Sequence, residues 1–153
     1  MTFLLDVNVL IALIDSRNSQ HQAAHEWFSR VGQESWATCP LTENGVLRVV
    51  GNPRFPNSPG SPQAVAVSLE SLLGQQGHEF WADDISFLDR GRFDIHRLLN
   101  ASQVTDSYLL ALAIAHGGKL ATLDRRLITD AVRNGTQGLH LISSGAEESP
   151  SVG

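Results

Sequence analysis

The chain has 153 residues, enough for one ordinary domain with a sizeable core. Hydrophobic residues make up 42% and charged residues 18%, which excludes a disordered chain, and no apolar run approaches the roughly 20 residues of a membrane span. A formal net charge of −5 argues against nucleic-acid binding through bulk positive charge, and the single cysteine, Cys39, excludes an internal disulfide or a cysteine-based zinc cluster.

Residues 2–5 read as a short buried strand. The N-terminus lacks the basic start of a signal peptide, and Asp6 and Asn8 interrupt its apolar stretch, so a cytoplasmic location is expected. From Asp6 the spacing of Val9, Leu10, Leu13 and Ile14 is helical. Ser19 is expected to cap a helix running to about Val31, with Gly32 as its stop. Residues 36–39 form a second strand, and Pro40 opens a helix that ends before Pro53. Residues 51–62 carry four prolines and must be loop. A helix over 63–74, a strand over 78–81, a loop over 83–92 and a short helix over 93–99 follow. Thr105 opens an amphipathic helix that stops at Gly117 and Gly118. The last elements are a strand over 119–122, a helix from after Asp124 to about Val132, and a strand over 139–142. The expected domain is 1–142, with a polar, disordered tail over 143–153. Short strands alternating with helices imply an α/β fold with a parallel sheet covered on both faces.

Ligands of open parallel sheets bind beyond the carboxyl ends of the strands. Four acids fall at such places or at helix starts: Asp6, Glu43, Asp106 and Asp124. Each has a plainer explanation, since an acid in the first helical turn complements the helix dipole for about 0.3–1 kcal/mol. Asp6 resists it, because a carboxylate inside the run Phe3-Leu4-Leu5-Asp6-Val7 is costly to desolvate unless something binds it. Converging carboxylates repel one another unless a cation joins them, and hard oxygen ligands favour Mg²⁺ or Mn²⁺ over zinc. That combination points to phosphodiester chemistry.

Four segments resemble the motifs of PIN domains: Phe3 to Leu10, Pro40-Leu41-Thr42-Glu43 with Val46-Leu47-Arg48, Thr105-Asp106 through Ala113, and Leu120 through Leu127 with Asp124. In its small single-domain size the chain is similar to the VapC-type toxins of toxin–antitoxin pairs. The resemblance implies a three-layer α/β/α fold with a central parallel sheet of four to five strands. It implies an Mg²⁺- or Mn²⁺-dependent endoribonuclease in which Asp6, Glu43, Asp106 and Asp124 hold the metal and water attacks in line, leaving 5′-phosphate and 3′-hydroxyl ends. Asn8 matches a position that helps order the first acid, and Thr122 one that supports the fourth. The partner implied is a VapB-type antitoxin whose C-terminal segment lies near the site, and the implied assembly is a homodimer. Arg125 and Arg126, beside Asp124, are candidates for contact with an RNA phosphate.

Other constellations are weaker. His21 and His25 have a spacing metals use, but no third ligand stands near in sequence, and helix packing is the better reading. Asp83-Asp84 reads as a solvated turn, Trp27, Trp36 and Trp81 as packing rather than base-stacking residues, and Cys39 as buried and inert. A phosphatase or phosphotransferase with Asp6 as nucleophile is an alternative, but the haloacid-dehalogenase type needs an aspartate where Asn8 stands. A binding module that keeps the fold without catalysis is a second alternative.

Overall fold

The structure is a computed structural model in which residues 1–143 are described. The first strand, β1 (Phe3–Leu5), leads directly into α1 (Val7–Ile14), and α2 (His21–Arg30) follows. Strand β2 (Trp36–Thr38) leads into α3 (Pro40–Val50), then α4 (Pro62–Leu73) and β3 (His78–Phe80). Two single-turn 3₁₀ helices, Ile95–Arg97 and Ala101–Gln103, precede α5 (Val104–Ala115). Strands β4 (Lys119–Thr122) and β5 (Leu139–Leu141) complete the order.

The five strands form one sheet in the order β3-β2-β1-β4-β5, every neighbouring pair parallel. Parallel sheets need helices on both faces, and successive residues of the central strand sort accordingly. Phe3 and Leu5 enter a core with Val9, Leu10, Phe28, Trp36 and Leu69, beneath α1–α4. Leu4 points the other way, into a core with Ala37, Leu109, Leu112 and Leu120, beneath α5. The result is the expected three-layer α/β/α arrangement. Pro40 at the first position of α3 presets the helical φ where no backbone donor is needed. Gly117, at φ +73°, supplies the left-handed residue that ends α5.

Three local expectations are corrected. The helix from after Asp124 to about Val132 does not form. The Asp124 side chain accepts from the Arg126 backbone N–H, and Val132 is drawn into an antiparallel bridge with Phe93. The apolar residues Leu127, Ala131 and Val132 are buried, but by a looped segment. Ser19 does not cap α2; Gln20 stands at the cap without a side-chain bond, and Asn18 Oδ1 accepts from the Gln20 N–H instead. The short helix expected over 93–99 is the single turn Ile95–Arg97, because Phe93 and Asp94 are held by the 131–132 segment. The tail expected over 143–153 lies, apart from Ser143, outside the described residues. Among the described residues no helix is long and apolar enough to cross a membrane.

Candidate active site

Leu5 pairs with Ala121 across β1 and β4, so the next residues, Asp6 just beyond β1 and Thr122 at the end of β4, stand at the same carboxyl edge. The Asp6 N–H still donates to the Ala121 carbonyl at 3.0 Å, which fixes the Asp6 backbone. Its side chain is 6% exposed and caps α1, accepting from the Val7 N–H at 2.7 Å through Oδ1. The second oxygen accepts from the Thr122 hydroxyl at 2.8 Å. Both carboxylate oxygens are therefore oriented before anything binds.

Thr122 is fully buried and serves three partners. Besides donating to Asp6, its oxygen accepts from the Asn8 side-chain amide at 3.2 Å and from the Asp124 N–H at 3.1 Å. Asn8 closes the loop by accepting from the Leu123 N–H at 3.2 Å. One hydroxyl thus ties the end of β1 to the turn that carries Asp124.

Asp106 occupies the first turn of α5. Its carboxyl is pushed up to about 6, first by burial and then by the negative charges of Asp6 and Asp124. Burial also pushes the Asp6 carboxyl up; bonds from Thr122 and Val7 oppose the shift, and the charge of Asp124 adds to it. Asp6 thus senses Asp106 and Asp124 electrostatically, although they lie 100 and 118 positions further along the chain.

Glu43, in the first turn of α3, reaches the carboxyl edge on the β2 side. Its Oε2 accepts from the Thr38 hydroxyl at 2.7 Å, and Thr38 Oγ1 stands 2.7 Å from His78 Nε2. Burial pushes His78 below its ordinary value, against the opposing charges of Glu43 and Glu79. Gly45 sets how closely α3 approaches α1, since a Cβ there would lie 2.7 Å from Val7 Cγ2. Val7, whose N–H binds Asp6, thus packs against α3 two residues beyond Glu43.

Among the described residues, no three or more histidine, cysteine or acidic side chains stand grouped so that they could hold a metal ion by themselves. The donor set still fits a magnesium-like ion, which keeps several waters and takes only one or two carboxylates from protein. The charges of Asp6 and Asp124 raise the Asp106 carboxyl, and a cation placed among the three would relieve that repulsion. Arg125 and Arg126 line a cleft with Asn8, Gln20, Leu123 and Asp124, so both border Asp124.

The remaining candidates are placed elsewhere. The His21 and His25 rings are 5.7 Å apart, but His21 Nδ1 stands 2.7 Å from the Ala12 carbonyl and packs α2 onto α1. Trp27, Trp36 and Trp81 are buried. Cys39 is buried, and burial pushes its thiol up to about 11, far from a reactive thiolate. Asp83 is exposed, as a solvated residue should be, and also accepts from the Leu41 N–H in the first turn of α3 at 3.1 Å. Asp84 stands 3.5 Å from His116, whose ring stacks on Trp81 at 4.2 Å. Thr38 and His78 are not among the site residues expected from the sequence. A signal existed for Thr38, which ends β2 as Thr122 ends β4 and likewise donates to an acid. His78 lies on a neighbouring strand and had none.

The fold and the site share a known pattern. The sequence pattern of the PIN domain matches residues 3–131. Over 140 residues the chain is 41% identical to Ribonuclease VapC44 of Mycobacterium tuberculosis, covering 90% of this chain and 96% of that protein. It is 38% identical over 131 residues to Ribonuclease VapC39 of the same organism, covering 86% and 94%. A chain in the crystal structure of VapBC2 from Rickettsia felis, bound to a DNA fragment from their promoter, superposes with a TM-score of 0.61 at 12% identity, over 94% of this chain and 100% of that one. Mycobacterium tuberculosis VapC20, described as a sarcin-ricin loop cleaving toxin, superposes with a TM-score of 0.50 at 12% identity over 74% and 79%. The chain belongs to the PIN-domain family and, within it, to the VapC ribonucleases.

Proposed function

We propose that this chain is a divalent-metal-dependent endoribonuclease, the toxin of a toxin–antitoxin pair, with Asp6, Glu43, Asp106 and Asp124 as its metal-holding acids. The observation that carries this reading is the electrostatic coupling of Asp6, Asp106 and Asp124 at the carboxyl edge of a parallel sheet. Mg²⁺ or Mn²⁺ suits the all-oxygen donor set. When bound, such an ion neutralises charge at the scissile phosphate and lowers the pKa of water.

The protein's own part is orientation. The Val7 N–H and the Thr122 hydroxyl hold both oxygens of Asp6, and Thr38 holds Glu43. Arg125 and Arg126 border the cleft that holds Asp124, where a guanidinium can grip a flanking RNA phosphate. Cleavage then leaves 5′-phosphate and 3′-hydroxyl ends. Asn8, at the position where a haloacid-dehalogenase-type phosphotransferase carries its second aspartate, is engaged instead with Thr122 and the Leu123 backbone. The partner is a VapB-type antitoxin, and a cluster of mutually repelling carboxylates favours one that brings a basic side chain to the site. A homodimer is the proposed assembly, and the cytoplasm, where RNA is met, the proposed location.

The test uses chain freed of antitoxin and incubated with total RNA in Mg²⁺ or Mn²⁺, with cleavage ends mapped. Discrete cuts that require the ion and vanish in Asp6→Asn and Asp106→Asn, with the fold retained, support the reading. No cleavage across a broad RNA panel with either ion overturns it.

A further inference from the structure

His78 lies on β3, one strand beyond β2 and two beyond the strand that leads to Asp6. Side chains two apart on a strand share a face, so Trp36 and Thr38 of β2 stand side by side. His78 pairs in register with Trp36, and its ring packs on the indole at a centroid distance of 4.7 Å. From there Nε2 reaches the Thr38 hydroxyl oxygen at 2.7 Å. The same hydroxyl stands 2.7 Å from Glu43 Oε2.

Proton counting fixes the direction of this chain. A threonine hydroxyl has one hydrogen and two lone pairs, and an ionised carboxylate only accepts. The Thr38 hydrogen therefore goes to Glu43. The short contact on the other side must then be donated by the ring, so Nε2 carries a hydrogen. This holds whether the imidazole is neutral or charged.

We infer that His78 is a positioning residue for Glu43: its Nε2–H donates to Thr38, and this turns the Thr38 hydroxyl proton onto the Glu43 carboxylate and holds it in one orientation. The inference rests on the reading of Glu43 as a metal-holding acid. Partners that orient a ligand through its hydrogen bonds commonly matter nearly as much as the ligand. With the ring turned to its other tautomer, Nε2 would accept from Thr38, and Glu43 would lose its donor. Thr38–Glu43 and Thr122–Asp6 are then matching devices, but only the first is governed from a neighbouring strand.

The test reads the ring and the metal separately. In metal-free protein labelled with ¹⁵N-histidine, NMR of His78 is expected to show the Nε2–H tautomer; the Nδ1–H tautomer overturns the assignment. Mn²⁺ affinity is measured by calorimetry on variants whose folding is checked by thermal melts. His78→Asn, whose amide mimics Nδ1, and Thr38→Val are expected to weaken Mn²⁺ binding about tenfold. His78→Gln, whose amide nitrogen falls near Nε2, and Thr38→Ser are expected to recover most of that loss. In a Glu43→Gln background His78→Asn is expected to add nothing. An equal loss there, or no loss from His78→Asn in the native chain, overturns the inference. Wild-type chain that takes up Mn²⁺ yet cuts no RNA defeats the nuclease reading instead, and the tautomer and the Glu43→Gln comparison still decide the role of His78.

Discussion

Asp106→Asn separates the two explanations of an acid at a helix start, because they give opposite signs. An acid that only complements the dipole of α5 stabilises the fold, and its removal costs about 0.3–1 kcal/mol. An acid pressed against other carboxylates destabilises the metal-free fold, and its removal helps. The Asp106 carboxyl rises from 3.8 to about 6, by burial and by the charges of Asp6 and Asp124. At about 1.36 kcal/mol per pH unit, the full shift is worth about 3 kcal/mol. Asp106 is only half buried, and solvent screening reduces this to about 1–2 kcal/mol. For a domain of this size each kcal/mol moves the melting temperature by about 2–4 °C, so metal-free Asp106→Asn should melt roughly 3–6 °C above wild type at pH 7. The pH dependence follows from linkage. The folded chain binds the Asp106 proton more tightly than the unfolded chain, so wild type loses stability as pH rises from about 4 to about 6. The asparagine variant does not, and its advantage should vanish below about pH 4. Thermal melts in chelator across this range measure both. A variant that melts below wild type at pH 7 would refute the coupled-carboxylate account of the site.

Three further outcomes are expected. Thr122→Val keeps the buried volume but removes the bond to Asp6 and leaves the Asp124 N–H and the Asn8 amide without their acceptor, so it should lose about 2–3 kcal/mol of stability and most cleavage; denaturant titration checks this, with Thr122→Ser expected to stay near wild type. Gly45→Ala drives a Cβ to 2.7 Å from Val7 and should cost about 1–3 kcal/mol and weaken Mn²⁺ binding by displacing Glu43, with Val7→Ala restoring part of both in the double variant. Arg125→Ala and Arg126→Ala, made separately, should raise KM for RNA more than they lower kcat, and each lost phosphate contact should reduce the salt slope of binding by about 0.7; unchanged salt slopes in both would remove the arginines from the RNA path.

Most of the architecture was legible in the sequence because local and global signals agree there. The all-apolar run Phe3–Leu5 can only be a strand buried on both faces, and Pro40 marks a helix start that no packing overrules. Legibility failed after Asp124. Leu127, Ala131 and Val132 have helical spacing, yet an Asx turn on Asp124 and the bridge to Phe93 spread them along a loop. That outcome depends on a contact 39 residues away, which periodicity does not encode. The acids were readable one by one as residues at strand ends or helix starts. Their coupling was not, since it exists only once β1 and β4 are neighbours. His78 shows the same limit: nothing in its own segment distinguishes it, and its contact with Thr38 comes from the register of β3 on β2.

The Thr122 hydroxyl, which ties the end of β1 to the turn bearing Asp124, also sets a schedule. Asp6 is made among the first residues of the chain, but the donor that orients it and the fourth acid arrive 116 and 118 positions later. Until translation reaches them and β4 docks beside β1, Asp6 is one carboxylate without its donor. On the proposed reading, a growing chain is harmless to the messenger and ribosome producing it, and the hazard begins only when a nearly finished toxin folds. On that same reading, an antitoxin already present in the cell has a folded partner to meet only from that moment.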